Sequence, residues 1–549
     1  MESQKNLTLF AAWKELQKHQ QRDLNLKQLF VDDQERFEKY SISLGSLLFD
    51  YSKNLLDDEI KELLICLAME SGLKKWIYKQ FHGEKINNTE ERAVLHTALR
   101  APDSRQVCVD GIDVTPVVMI SQEKMYRFVD RVHSGEWKGY TGKQITHIVN
   151  IGIGGSHLGP EMVTKGLAPY QKEEITTLFI ANLDADYLVK QLQNLPHEQT
   201  LFIIASKSFS TQETLENAKV VREWFLTQSK DESAIASHFI AVSNNIVAAT
   251  EFGIKKQNIF EMWDWVGGRF SLWSTVGISI ALSIGVSNFK KMLAGAQKAD
   301  YHFSTAEFEH NIPVIMALLG IWYRDFHDVD SYAIVPYIEN LNLLVNYLQQ
   351  ADMESNGKSI ARNGTAVDYK TAPVIWGGTG ANSQHAFFQH LHQGTGYTPV
   401  DFIAAVDANL PVADHQDLLL ANCLAQSCAL MNGKTEVEVR EEMQAKGVAP
   451  EKIEQLLPFR IFEGNRPSST FMFDKMTPES LGLLIALYEH KIFVQGVIWQ
   501  LNSYDQWGVE LGKKLADDIA PDIQNPKEKL EHDGSTNGLI RHILKCREL

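Results

Sequence analysis

Cysteine is scarce in this chain: Cys66, Cys108, Cys423, Cys428 and Cys546 are five in 549 residues, odd in number and scattered without metal-ligand spacing. That usage excludes a disulfide framework and favours a reducing, cytoplasmic setting. Long apolar runs are also missing. The longest, residues 276–286, is short for a bilayer, carries Ser279 and Ser283, and reads as a buried helix. Residues 1–21 mix Glu, Lys and Gln with apolar side chains and lack a hydrophobic core with a cleavage site, so no signal peptide is expected. Arg547 and Glu548 fill positions after Cys546 that prenylation wants aliphatic, so no prenylation is expected. Positive charge is in deficit, with 53 Lys plus Arg against 69 Asp plus Glu and a net charge of -16. Such a surface repels nucleic acid and anionic lipid, so neither nucleic acid nor membrane is expected as a partner. A small anionic ligand would need a locally positive pocket.

Complete nucleotide-binding motifs are absent as well. Gly152, Gly154 and Gly155 follow a strand-like run, but His157 stands where a dinucleotide fingerprint needs its third glycine. Gly154 and Gly159 have Walker spacing, yet Pro160 and Glu161 replace the Lys and Ser/Thr. What remains is a tight turn whose small residues let a ligand approach the backbone, with Ser156 as donor and Pro160 opening the next helix.

What is present is an ordinary globular composition, 44% hydrophobic and 22% charged, long enough for two or more domains. Residues up to about 115 read as helices: Ile60, Leu63, Leu64 and Leu67 repeat at helical spacing after Asp57 and Asp58. In the 90–100 segment His96, Thr97 and Arg100 could reach a ligand, but a solvated helix face is the favoured reading. From about 118, strand-like runs at 145–151, 177–181, 201–205 and 239–242 alternate with helical segments. A second series has strand candidates at 332–335, 374–376 and 402–406. This is the signature of an α/β fold with parallel sheets flanked by helices. The expected divisions are a helical segment 1–117, α/β units 118–290 and 300–505, and a helical segment 506–549.

Several stretches carry chemistry. Ser206, Lys207, Ser208, Phe209, Ser210 and Thr211 follow the apolar run 201–205. They form a hydroxyl-rich turn leading into a helix, and Ser210 with Glu213 fits a capping box that starts the helix there. Free N–H groups and the dipole at such a start suit a phosphate, although an ordinary Ser/Thr-rich cap reads the same way. Arg269, behind Gly267 and Gly268 and beside Phe270 and Trp273, is either a buried ion-pair partner or an anion clamp. Leu341, Leu344, Tyr347 and Leu348 mark a helix stripe ending at Asn356-Gly357, with Gln350 and Glu354 on one face near its end. The negative dipole end favours a protonated Glu354, a setting for a proton-shuttling base. After Trp376 comes a Gly-rich turn and a helix beginning near His385, whose first-turn position favours a neutral imidazole able to exchange protons. His385, His390 and His392 lack zinc spacing, so no metal is expected. The 504–513 stretch holds Gln506, Trp507, Gly508, Glu510 and Lys513.

Together these stretches resemble the glucose-6-phosphate isomerase (phosphoglucose isomerase) family. The carriers are Gly-Ile-Gly-Gly-Ser at 152–156, Ser-Lys-Ser-Phe-Ser-Thr-Gln-Glu-Thr at 206–214, Val-Gly-Gly-Arg-Phe-Ser at 266–271, Glu-Ser-Asn-Gly-Lys at 354–358, the segment through His385, and Tyr-Asp-Gln-Trp-Gly-Val-Glu-Leu-Gly-Lys at 504–513. They run in the family's order across most of the chain. The resemblance implies two SIS-type (sugar isomerase) domains, a homodimer with shared active sites, and metal-free, cofactor-free interconversion of glucose 6-phosphate and fructose 6-phosphate. It assigns the phosphate to Gly155, Ser156 and the loop Ser206, Lys207, Ser208, Phe209, Ser210 and Thr211. Glu354 is then the base, Arg269 the stabiliser of an enediolate, and His385 (from the neighbouring subunit) with Lys513 the ring-opening pair. Gln350 and Gln506 position the substrate. Ser208 and Ser210 stand where threonine is common, and Phe270 where tyrosine is common.

Overall fold

The computed structural model describes residues 5–102, 104–525 and 529–547. Two compact units divide the chain, Met1–Ser503 and Tyr504–Leu549. In chain order the strands of the first unit are β1 (Ser41–Leu44), β2 (Leu47–Asp50), β3 (Cys108–Val109), β4 (Ile112–Asp113), β5 (His147–Ile151), β6 (Thr176–Ile180) and β7 (Thr200–Ala205). They continue as β8 (Phe239–Val242), β9 (Ile259–Phe260), β10 (Ser331–Pro336), β11 (Val374–Gly377), β12 (Val400–Asp407) and β13 (Ser468–Lys475).

One sheet is all parallel, in the order β6-β5-β7-β8-β9. Its central strands read as unbroken apolar runs because helices cover both faces: Leu201, Phe202, Ile203 and Ile204 are all fully buried. From β5 the chain goes to β6 on one side and to β7 on the other. The turn after β5 and the loop after β7 therefore leave adjacent strands at a topological switch point, where open α/β sheets bind ligands.

The second sheet has the order β1-β2-β13-β12-β10-β11, with β10 to β13 parallel and β1 and β2 antiparallel at one edge. Residues 1–115 thus carry more than the expected helices. Phe49 of β2 is buried against Phe471 of β13, at 4.7 Å between ring centroids, so pairing to a distant strand decides what local pattern leaves open. The expected helix from Asp58 is there, capped by the Asp57 side chain, which accepts from the Ile60 N–H. Strands β9 and β13 also lie outside the strand candidates of the sequence.

The helix Pro478–Ile498 is among the described residues the one long and apolar enough to match a membrane span, yet the whole apolar window is buried in protein. It carries Glu489, His490 and Lys491 into the core, each with a partner. Arg100 donates to Glu489 (2.6 Å) and to Asp300 (2.8 and 2.9 Å), His490 pairs with Asp300 (2.7 Å), and Lys491 donates to Asp352 (2.8 Å). The segment holding His96, Thr97 and Arg100 is correspondingly a buried 3-10 turn, His96–Arg100, rather than a solvated face. Burial pushes His96 well below the usual histidine range.

Candidate active site

Three backbone turns of the first unit meet beside the switch point. After β5 the chain makes the 3-10 turn Gly154–Ser156, with Gly154 at φ +56, a left-handed conformation suited to glycine. A Cβ on Gly155 would lie 2.0 Å from the Gly268 carbonyl oxygen and 2.7 Å from the Arg269 nitrogen, so only glycine permits this approach of two backbones. A Cβ on Gly154 would lie 3.1 Å from Gln350 Nε2. The glycine turn thus touches both the Arg269 turn and Gln350. Ser156 sits at its end, with its carbonyl accepting from Asn150 Nδ2 at 3.1 Å.

Arg269 belongs to the 3-10 turn Gly268–Phe270 and is 3% exposed. Its Nε donates to Ser355 Oγ (2.7 Å), one terminal nitrogen donates to the Ser503 carbonyl (2.5 Å), and the other lies 3.5 Å from Glu354 Oε2. The two sequence readings of this arginine therefore merge: it is buried, and its ion-pair partner is the candidate base. Glu354, with a 20% exposed side chain, ends a π-helical segment, Gln349–Glu354, that follows the short α-helix Leu344–Leu348. The expected single helix stripe is thus interrupted by a wider turn, a form that often marks functional sites. Gln350 lies on the same segment, and its buried Oε1 has no hydrogen-bond partner among the described residues.

The hydroxyl-rich loop after β7 lies where expected. Ser206 is buried, donates its N–H to the Val242 carbonyl (3.1 Å), and pairs its Oγ with Thr211 Oγ1 (3.2 Å). Ser208 and Ser210 are exposed and bonded to each other at 2.6 Å. Phe209 takes φ +49, unusual for an aromatic residue, and is held there by burial against Phe252. Burial lowers the affinity of Lys207 for its proton, opposed by Asp264 at 3.1 Å. The helix starts at Gln212, with Thr211 as N-cap and no side-chain cap bond. The expected Ser210–Glu213 capping box is not formed, because the Ser210 hydroxyl is turned to Ser208. Sequence reasoning missed the braces of this loop. Ser243 Oγ and the Asn244 N–H donate to the Lys207 carbonyl, and Asn245 Nδ2 to that of Ser208. Their position just past β8, the next strand of the sheet, was the available signal.

His385 departs from expectation. The helix Gly380–Gln384 precedes it, so His385 is an exposed C-cap and meets the negative rather than the positive dipole end. Gly380, the first residue of that helix, lies against the Tyr337 ring, where a Cβ would come within 2.4 Å. Among the described residues, no hydrogen bond or ion pair joins His385 to Glu354 or to the hydroxyl loop. His392 pairs with Gln426 at 2.9 Å, and no group of three metal-ligating side chains occurs among the described residues.

Gln506 and Lys513 belong to the second unit. There Gln506 precedes the 3-10 turn Trp507–Val509, and Lys513 lies in the first turn of the helix Glu510–Gln524 with its ammonium 3.1 Å from Glu510. Elsewhere in the first unit a cleft of about 1060 Å³, between the helices Thr115–His133 and Val286–Thr305, holds none of the candidate residues. Its basic side chains are largely paired, Arg127 with Glu123 and Arg131 with Glu136.

The family model described as phosphoglucose isomerase matches residues 50–540. A glucose-6-phosphate isomerase of Chlorobium luteolum is 51% identical over 545 residues, covering 99% of both chains. A crystal structure of a glucose-6-phosphate isomerase from Chlamydia trachomatis superposes with a TM-score of 0.86 at 30% identity, over 99% of this chain and 100% of the other. A hypothetical protein of Thermus thermophilus shares the fold at a TM-score of 0.63 and 20% identity, over 86% of this chain and 99% of its own. On sequence and structure alike, the chain belongs to the phosphoglucose isomerase family.

Proposed function

We propose that this enzyme interconverts D-glucose 6-phosphate and D-fructose 6-phosphate, an aldose–ketose isomerisation of glycolysis and gluconeogenesis, by ring opening and proton transfer through a cis-enediol. The observation that carries the reading is the pair of buried Arg269 with partly exposed Glu354, at 3.5 Å beside the glycine turn. In the open-chain aldose, the Glu354 carboxylate takes the C2 proton, the C–H electrons form the C1=C2 bond, and negative charge collects on O1. Arg269 stabilises that charge, and the carboxylic acid returns its proton to C1 while the O2 proton passes to O1. A positioned base and a fixed cation each contribute about two to four orders of magnitude to such reactions, and no metal or cofactor is required.

In this reading the phosphate is held by Gly155, Ser156 and the loop Ser206, Lys207, Ser208, Phe209, Ser210 and Thr211. Gln350 offers its buried Oε1 to a sugar hydroxyl. Lys513 and Gln506 serve ring opening and positioning, and His385 serves the site of a second copy. Its exposure fits that role, as does the uncovered apolar surface of the helix His415–Asn432, where Leu418 is 62% and Leu424 51% exposed. The reading also divides the chain into SIS-type domains at 118–290 and 300–505 between helical segments 1–117 and 506–549, in the cytoplasm. A non-catalytic sugar-phosphate-binding regulator would have no use for the Arg269–Glu354 pair.

The test is proton NMR of fructose 6-phosphate with the protein in deuterated water containing EDTA. Glucose 6-phosphate carrying deuterium at C2 is the expected product. No product from folded protein would overturn the enzyme reading in favour of the regulator.

A further inference from the structure

Glu354, Ser355 and the Ser503 carbonyl face the three nitrogens of the Arg269 guanidinium, and Asn356, next after Ser355, holds the Ser503 side chain. Glu354 faces one terminal nitrogen of Arg269 at 3.5 Å, and Ser355 Oγ accepts from Nε at 2.7 Å. Asn356 Oδ1 accepts from Ser503 Oγ at 2.6 Å, and the Ser503 carbonyl accepts from the other terminal nitrogen at 2.5 Å. Ser355 and Asn356 are fully buried.

The direction of each bond around Ser355 is forced. Its single hydroxyl proton goes to the Ala351 carbonyl at 2.6 Å, which can only accept, so the oxygen is left to accept from Arg269. The far side of the clamp is equally fixed. Asn356 Nδ2 donates to the Ile492 carbonyl at 2.8 Å, and Gly496 leaves room for the contact, since a Cβ there would lie 1.8 Å from Ser503 Oγ. Lys491, one residue before Ile492, reaches back to Asp352 in the π-segment at 2.8 Å, with both side chains 2% exposed. The segment carrying the base and the arginine's clamp are thus tied to one buried helix, Pro478–Ile498.

We propose that Ser355 is a positioning residue of the isomerase. Its hydroxyl fixes the roll of the Arg269 guanidinium about its long axis, so that one terminal nitrogen, and not the Nε edge, is presented at the Glu354 carboxylate where the enediolate charge develops. This rests on the isomerase reading and on the roles given there to Arg269 and Glu354. A cation fixed in orientation before reaction stabilises developing charge without reorganisation, so its misalignment acts on the proton-transfer step rather than on substrate binding.

The experiment compares Ser355→Ala and Ser355→Cys with the parent enzyme, using glucose 6-phosphate and its C2-deuterated form, alongside thermal denaturation. Alanine removes the acceptor and cysteine leaves only a weak one, while the two change volume in opposite directions. Both are expected to lower kcat about 10- to 100-fold with KM within about twofold. The primary deuterium isotope effect on kcat should rise, because proton abstraction becomes more fully rate-limiting. An isotope effect does not depend on how much of the sample is folded, so it separates positioning from loss of folded enzyme. Parent-like kcat and isotope effect would overturn the proposal, and so would a fall in kcat that tracks the folded fraction with an unchanged isotope effect. Failure of the parent enzyme itself to turn over would sink the isomerase reading instead.

Discussion

In the proposed mechanism Glu354 and Arg269 form the chemical centre, and each substitution there has a distinct expected signature. Glu354→Gln removes the base while keeping size and hydrogen bonding; kcat should fall by about two to four orders of magnitude with little change in KM, measured by coupled assay. Arg269→Lys keeps a charge but loses the fork that meets Ser355, Ser503 and Glu354 together, and should lose most of the activity despite its conservative label. The residue scale also sets a pH response. His238 is fully buried, with Nδ1 against the Thr200 carbonyl (2.6 Å) and Nε2 accepting from the Tyr140 N–H (2.9 Å), and burial pushes its pKa down to about 4 from 6.5. As pH falls the unfolded chain takes up this proton first. The stability due to neutral His238 is full above about pH 6.5 and is lost toward pH 4, so Tm should fall across that window. His238→Gln should lower Tm at neutral pH and flatten that fall. Little of this was legible in advance. An arginine among glycines and aromatics announces burial, but Ser355 looks like any serine, since its partner lies 86 residues away.

At the scale of elements, the glycine turn and the π-segment decide the geometry. Gly155→Ala would press a methyl into the Gly268 carbonyl, at 2.0 Å before relaxation. Separating those two backbones should destabilise the fold by about 1–3 kcal/mol, read by denaturant titration, and should cost activity beyond the folded fraction because Arg269 moves with Gly268. The strands β5 to β8 and β10 to β12 were readable because their apolar runs are bounded by turn residues, and the hydroxyl loop because it follows one. The π-segment was not readable. Its residues obey helical spacing closely enough for the Leu344, Tyr347 and Leu348 stripe to run straight on, and only the folded backbone over Gln349–Glu354 shows the wider turn. The helix position of His385 was misread for a related reason: the preceding helix is seated by Gly380 on Tyr337, a contact between residues 43 apart.

For the whole molecule, the isomerase reading asks for two chains per site. Mixing inactive Glu354→Gln and His385→Ala proteins after partial unfolding and refolding should restore about a quarter of the parent activity, because a mixed C2 dimer carries one intact site. No recovery would leave His385 outside the shared site. The sequence by itself determined the α/β class, the positions of β5 to β8 and β10 to β12, the hydroxyl-rich loop after β7 and the family, because periodicity, turn chemistry and ordered motifs are local properties. Tertiary structure alone decided that β1 and β2 join the second sheet, and that Arg100, Glu489, Lys491 and Asp352 lie in the core as pairs. It also decided that the guanidinium of Arg269 is held on three sides. A buried charge survives only beside its partner, and those partners are brought together by the fold across hundreds of residues, where no spacing rule reaches.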